Sequence, residues 1–259
     1  MRDIKIVIAT HKLYEMPSDS IYIPLQVGRK GKKDLGYQGD DTGTNISEKN
    51  PNFCELTGLY WAWKNLTNDY IGLAHYRRHF KNPKKHEKNP FDNVADKETF
   101  DTLFNDTDVI VTKHRQYYIE NLYNHYAHTL YVEPLDSTRE IIKNKYPEYL
   151  ETFDKQMKST QMHAFNMFVM KKELLNDYCE WLFDILFELE KEYKDANYST
   201  FHSRFYGRIS ELLLDVWLKK NNIECKELPF IYMEKIDYKK KVLGFLQAKF
   251  FKKKYDGSF

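Results

Sequence analysis

Cysteine is scarce in this chain: Cys54, Cys179 and Cys225 are widely separated, odd in number and form no CxxC pair. That argues against a disulfide framework and a cysteine zinc site, and a reducing cytoplasm is the simple expectation. Long apolar runs are missing too. The N-terminal "IVIA" turns polar at once and is too short for a signal-peptide core, and no stretch approaches the roughly 18 apolar residues of a membrane span. The expectation is a soluble protein, attached to a membrane at most by its surface. Net charge is almost absent, because 40 Lys and Arg stand against 38 Asp and Glu for a balance of +2. Bulk electrostatics therefore do not make the chain a nucleic-acid binder. It contains no internal repeat and no low-complexity linker.

What is present is enough chain, 259 residues, for one large α/β domain, and an aromatic load of 20 Tyr and 17 Phe that serves a ligand surface as readily as a core. "IKIVIA" (Ile4 to Ala9) predicts a first, central strand followed by the polar Thr10-His11-Lys12, and strand-end loops in such sheets collect ligand-binding residues. The segment from Gly28 to Asn52, rich in Gly, Asp and Asn, predicts a long functional or disordered loop. Leu56, Leu59, Tyr60 and Trp63 fall at helical spacing, and "YIGLA" predicts a second buried strand ending in His75. A helix, the strand "DVIVT", a mainly helical stretch interrupted at Pro134 and Pro147, the strand "FNMFVM", a long apolar helix, a helix over 204–220 and the strand "ELPFIYM" complete the pattern of an α/β sheet covered by helices.

This gives one domain over 1–235 with a helical insertion at about 80–160, and a basic tail over 236–259. In the tail Val242, Phe245, Leu246 and Phe250 lie near one helical face with lysines on the flanks. That pattern fits an interfacial helix on an anionic membrane surface, and equally a basic tail whose aromatics fold back on the domain.

The densest chemistry is "HYRRH", His75 to His79. Two guanidiniums at a strand end make bidentate bonds to phosphate, and one such charge pair is worth on the order of 4 kcal/mol before desolvation. The alternative is one Arg ion-paired and the other solvated. His75 and His79 lack the helix and internal glutamate of a zinc HExxH motif. His125 and His128 share a helical face without a completing ligand. Asp106 and Asp108 form an Asp-x-Asp, the arrangement that holds Mg²⁺ or Mn²⁺ under a diphosphate, but they precede the apolar "VIV" and so belong at the sheet edge opposite the THK and HYRR loops.

Together, "THK", "DDTGTNIS", "ELTGLYWAWKN", "IGLAHYRR" and "NMFVMKK" followed by "YCEWLFDILFELE" resemble, in order and over nearly the whole chain, a bacterial family first catalogued as a domain of unknown function. Its members occur in capsule, exopolysaccharide and lipopolysaccharide gene clusters, and some are galactofuranosyltransferases. The resemblance implies a GT-A-like nucleotide-sugar fold, an α/β architecture with a mixed central sheet flanked by helices and a helical insertion after the HYRR strand. It puts HYRR where other members of the fold carry a metal motif, so that Arg77 and Arg78, with His75, would neutralise the diphosphate without a metal. Thr10, His11 and Lys12 would line the nucleotide, Asn45 would reach it from the mobile loop, and Asn166 and His163 would face the transferred sugar. Tyr60 and Trp63 suit core packing or a sugar platform. For the carboxylate that activates an acceptor hydroxyl, the candidates are Glu211, otherwise a surface or ion-paired residue, and Asp136, otherwise a helix N-cap.

The expected function is transfer of a hexosyl unit, galactosyl or galactofuranosyl, from a UDP-sugar to a lipid-linked glycan. It would be inverting, would require no cofactor and no nucleic acid, and would run at the inner face of the cell membrane. The rivals are a metal-dependent transferase using Asp40 and Asp41, a non-catalytic carbohydrate- or nucleotide-binding module and, more distantly, an RNA-binding protein.

Overall fold

A computed structural model describes residues 2–235 and, in the tail, residues 237, 248, 249, 254, 255 and 257. In chain order the strands and helices begin with β1 (Ile4–Thr10), β2 (Tyr22–Gln26), β3 (Gln38–Gly39), α1 (Asn50–Phe53), α2 (Leu56–Asn65), β4 (Tyr70–His75) and β5 (Arg78–Phe80). They continue with α3 (Lys97–Leu103), β6 (Val109–Thr112), β7 (Arg115–Gln116), α4 (Leu122–Thr129), α5 (Glu133–Lys145) and α6 (Leu150–Lys158). The last are β8 (Gln161–Met162), β9 (Phe168–Lys171), α7 (Lys172–Tyr193), α8 (Phe205–Lys220), β10 (Lys226–Leu228) and β11 (Phe230–Tyr232).

The main sheet runs β10-β6-β9-β4-β1-β2-β3, with β5 and β11 paired off its path. β1 pairs in parallel with β2 and β4, whereas β9 lies antiparallel between β4 and β6. β1, β4 and β6 are buried almost throughout, so they carry near-continuous apolar runs, interrupted in β1 by the partly exposed Lys5, instead of an alternating pattern. Gly72 is fixed by the pairing of β4 with β9, since a Cβ there would sit 2.6 Å from the Phe168 carbonyl oxygen. α7 and α8 cover the sheet with apolar faces that include Tyr178, Leu182, Ile185, Leu213 and Trp217, all within one continuous core.

Three expectations change in detail. The segment over 80–160 is not simply a helical insertion, because it adds β6 to the sheet, between β9 and the edge strand β10. Pro134 stands in the first turn of α5, where its missing N–H is harmless, so it starts that helix. "ELPFIYM" is two strands: Pro229 separates β10, parallel to β6, from β11, antiparallel to β5.

Of the tail, the amphipathic residues Val242, Phe245, Leu246 and Phe250 lie outside the described residues. Tyr255 donates its backbone N–H to the Thr129 carbonyl at 3.0 Å, and Lys254 Nζ reaches the carbonyls of Ala127 and Leu130. These described tail residues rest on the C-terminal end of α4. No helix among the described residues is long and apolar enough to cross a membrane.

Candidate active site

The C-terminal ends of the parallel strands converge on one edge, the place where open α/β sheets bind ligands. β1 delivers His11 and Lys12 there, and β4 delivers His75, Tyr76, Arg77 and Arg78. The antiparallel β9 starts from the same edge, preceded by a turn in which Phe165 and Asn166 both take left-handed backbone conformations, with φ of 75° and 53°. Asn tolerates that region, but a bulky aromatic does so only when its surroundings hold it. Here they do. His75 Nε2 donates to the Phe165 carbonyl at 2.5 Å, and the Phe165 N–H donates to Glu211 Oε2 at 2.8 Å. Asn166 Nδ2 donates to Glu55 Oε1 and to the Gly207 carbonyl at 2.8 and 2.9 Å.

Above this turn opens a cavity of about 540 Å³, lined among others by Arg77, Arg78, Arg115, Arg208, Glu211 and Tyr232. The Arg78 guanidinium lies 4.5 Å from the Phe165 ring centre and 5.5 Å from that of Tyr232, while its Nε is buried without a hydrogen-bond partner. Burial raises the Glu211 carboxyl above the ordinary glutamate range. The Phe165 N–H opposes this, Glu55 adds to it, and the nearby Arg115 and Arg78 charges oppose it. A carboxylate so placed is a stronger base than a solvated one and can take a proton from a hydroxyl.

Next to the cavity mouth, Glu234 bridges Lys12 Nζ and Arg77 Nη1 at 3.4 Å each. Burial pushes the Glu234 carboxyl up, but the Lys12 and Arg77 interactions outweigh it and hold the group below its usual range. Its side chain is 40% exposed, so this is a loosely held anion between two cations. His11 stands edge-on to Tyr76, and burial, then the charges of Arg77, Lys12, Arg204 and Lys32, lower its pKa.

Glu211, Arg77, Arg78, His75, His11 and Lys12 are thus gathered at one edge, with Asn166 beneath it. Other candidates are not part of it. The Thr10 hydroxyl is turned into its own chain, donating to the Lys12 carbonyl at 2.6 Å. Asn45 closes its own turn, donating to the Gly43 carbonyl and accepting from the Ser47 N–H. Asn166 is 1% exposed and supports the turn instead of facing the cavity. Tyr60 and Trp63 pack α2 onto α7 through Phe183, with ring centres 5.0 and 5.8 Å away. Asp136 is on α5, inside the helix and not its N-cap, and accepts from the Tyr123 hydroxyl at 3.0 Å.

His163 does not line the cavity either. It is buried, with Nδ1 2.5 Å from Asp215 Oδ1 and Nε2 3.4 Å from Glu227 Oε1, and Glu227 in turn meets His114 Nδ1 at 2.5 Å. His114, His163 and Asp215 bring ligand atoms within 4.8 Å of one another. The ligand nitrogens are already engaged, His163 Nδ1 with Asp215 and His114 Nδ1 with Glu227, and the two imidazoles lie tilted at 30° with centres 3.8 Å apart. The group is accounted for as a hydrogen-bonded chain.

The Asp-x-Asp pair lies at the start of β6, on the far edge, where Asp108 accepts from the Tyr70 hydroxyl at 3.0 Å. Asp40 is fully buried. Its two oxygens accept from the N–H groups of Gly28 and Arg29 and from the hydroxyls of Ser47 and Thr57, at 2.5 to 3.0 Å. Such a carboxylate has no lone pair left facing outward for a cation.

The sequence reading missed Arg115, Arg208, Glu55 and Glu234. Arg208 and Glu211 are one helical step of three residues apart, which places them on one face of α8. That spacing was the only local signal available.

This strand order, with an antiparallel β9 beside β4 and a nucleotide-type edge, is a GT-A-like glycosyltransferase fold. The chain belongs to the family described as a domain of unknown function, DUF4422, whose model matches residues 5–222. Among solved structures it is similar to the apo structure of WbbM, a bifunctional glycosyltransferase, at 31% identity and a TM-score of 0.82. The match covers 90% of this chain and 46% of WbbM, so the chain spans about half the length of that protein. No curated protein matches it significantly.

Proposed function

We propose that this protein is a glycosyltransferase that moves a hexosyl unit, galactosyl or galactofuranosyl, from a UDP-sugar to a lipid-linked glycan of a surface polysaccharide. The observation that carries the reading is the shared cavity of Glu211 and the Arg77–Arg78 pair, on a fold similar to that of a known glycosyltransferase. In the proposed reaction Glu211 takes the proton from the acceptor hydroxyl as its oxygen bonds to the anomeric carbon. The bond from that carbon to the diphosphate oxygen breaks, and the electron pair leaves with UDP. Arg77 and Arg78 stabilise the departing charge as fixed donors, displacing Glu234, and Lys12 and His11 flank the nucleotide. One displacement at the anomeric carbon inverts its configuration. With fixed cations in this role the reaction needs no metal. The basic tail would hold the enzyme at the inner membrane face, near its acceptor.

The test is a panel of UDP-sugars, first by thermal shift and then by acceptor-dependent UDP release, with wild type and Arg77→Ala in excess EDTA. Turnover in EDTA that falls in the variant is expected. Binding without UDP release in the presence of a matched acceptor would make the protein a non-catalytic module, and turnover abolished by EDTA would end the metal-free version.

A further inference from the structure

The cavity holds more positive charge than a donor diphosphate at Arg77 and Arg78 requires. Beyond Glu211 stand Arg115, at the start of β7, and Arg208, on α8. Neither forms an ion pair among the described residues. The Arg115 guanidinium lies 4.9 Å from the Tyr117 ring centre and that of Arg208 lies 4.0 Å from the Phe201 ring centre, while Arg208 Nη1 is buried with no hydrogen-bond partner. A buried guanidinium nitrogen with no hydrogen bond, as at Arg208, is costly by more than its contact with a ring returns, and the carboxylate whose charge both arginines feel, Glu211, forms no ion pair with either. The same helix could bear an apolar residue there at no such cost. A site of this kind is complete only when an anion enters.

A second feature says how that anion arrives. Between the cavity-lining residues Tyr117 and Leu122 the chain turns outward, leaving Tyr118 91% and Ile119 62% exposed. They are two of the few large hydrophobic side chains exposed in the described structure, and they stand at the rim beside Arg115. A tyrosine with an aliphatic neighbour at such a tip suits the boundary between water and lipid.

We infer that Arg115 and Arg208 form an acceptor subsite for the phosphoryl group of a lipid-linked sugar, with Tyr118 and Ile119 meeting the lipid at the rim. This rests on the glycosyltransferase reading above and extends it to the acceptor. Glu211 lines the same cavity as Arg78, Arg115 and Arg208, so the base is shared by the two cationic arms. The hydroxyl it activates therefore belongs to a sugar close to the acceptor's phosphate, not to the far end of a long glycan.

The experiment measures binding of four probes to the full chain: a short-chain alkyl diphospho-hexose, the same alkyl hexoside without phosphate, UDP and inorganic pyrophosphate. Arg208→Gln, Arg115→Ala and the charge-keeping Arg208→Lys are compared with wild type, each checked for its thermal midpoint. Support is a loss of at least tenfold for the alkyl diphospho-hexose in Arg208→Gln and Arg115→Ala, partial recovery in Arg208→Lys, and UDP affinity changed by less than threefold. A loss that falls on UDP instead would assign both arginines to the donor and overturn the inference. So would wild-type binding of the phosphate-free hexoside as tight as that of the diphospho-hexose. Pyrophosphate bound as tightly as the alkyl probe would reduce the subsite to one for free phosphate and overturn the lipid-linked acceptor. If UDP does not bind wild type at all, the donor reading fails by itself, and the alkyl probe still decides the subsite.

Discussion

The ends of β3 and β4 both carry charged motifs at the ligand-binding edge, "GDDTG" and "HYRR", and the structure treats them in opposite ways. Asp40 is enclosed by four donors within 3.0 Å, so its charge organises the loop from Gly28 to Thr57. Arg78 has a buried Nε with no partner, and among the described residues the one ion-pair partner of Arg77 is the half-exposed Glu234 at 3.4 Å. A satisfied buried charge is structural, whereas one left short of partners is available to a ligand. The difference lies in what surrounds each group, not in how polar its motif is.

The sharpest test of that contrast is Glu211→Gln. Without the base, turnover should fall roughly 10²- to 10⁴-fold while UDP affinity holds. In wild type the carboxylate is the active form, so turnover should fall as pH drops through its pKa, with the acid limb above the ordinary glutamate value of 4.5. A limb at or below that value would count against the raised pKa.

Asp40→Asn should act on stability. Its amide nitrogen would face groups that are themselves donors, at a cost on the order of 3 kcal/mol, read as a shift of the urea midpoint. UDP affinity of the folded variant should match wild type. A folded Asp40 variant whose activity is rescued by added Mn²⁺ would reverse the contrast.

His79 extends the comparison to the core face of the same strand end. It is buried between the rings of Tyr22 and Phe91, and burial, against a weaker pull from the Tyr76 backbone, lowers its pKa from 6.5 to about 4. Between those values the unfolded chain binds the proton and the folded one does not, so stability rises with pH across the window. It is lost as pH falls from 6.5 towards 4, by about 3 kcal/mol in all. Urea titrations at pH 7 and 4.5 should show that loss in wild type and a flatter profile in His79→Phe.

The smallest effect should come from Glu234→Gln. Removing a carboxylate that competes for Lys12 and Arg77 should tighten UDP binding a few-fold, in line with the ~1 kcal/mol or less of an exposed ion pair. Unchanged or weaker binding would mean that Glu234 is not standing where the phosphate goes.

The strands that make the sheet were legible because buried β-structure needs uninterrupted apolar residues: "IKIVIA", "YIGLA" and "DVIVT" became β1, β4 and β6. The polar residues after β1 and β4 were legible for a related reason, since a strand end is where charge can return to water. Legibility ended where a side chain's environment depends on distant elements. Asn166 and His163 adjoin the right strand, yet Asn166 is held by Glu55 and Gly207, and His163 by Asp215 on α8 and Glu227 on β10. Tyr60 and Trp63 could have faced either way until α7 placed Phe183 against them.

The sequence by itself determined the main buried strands, the helices that cover them, the family and the two strand ends that carry the charged residues of the edge, because these rest on local patterns of burial and charge. Only the tertiary structure decided that Asp40 is satisfied and Arg78 is not, that Glu211 meets the Phe165 turn while Asp136 lies on another helix, and that Arg115 and Arg208 share a cavity with Glu211 and Arg78. Desolvation and hydrogen bonding belong to the assembled surroundings of a group, and those surroundings can come from far along the chain, as where Glu55 meets Asn166, 111 positions away.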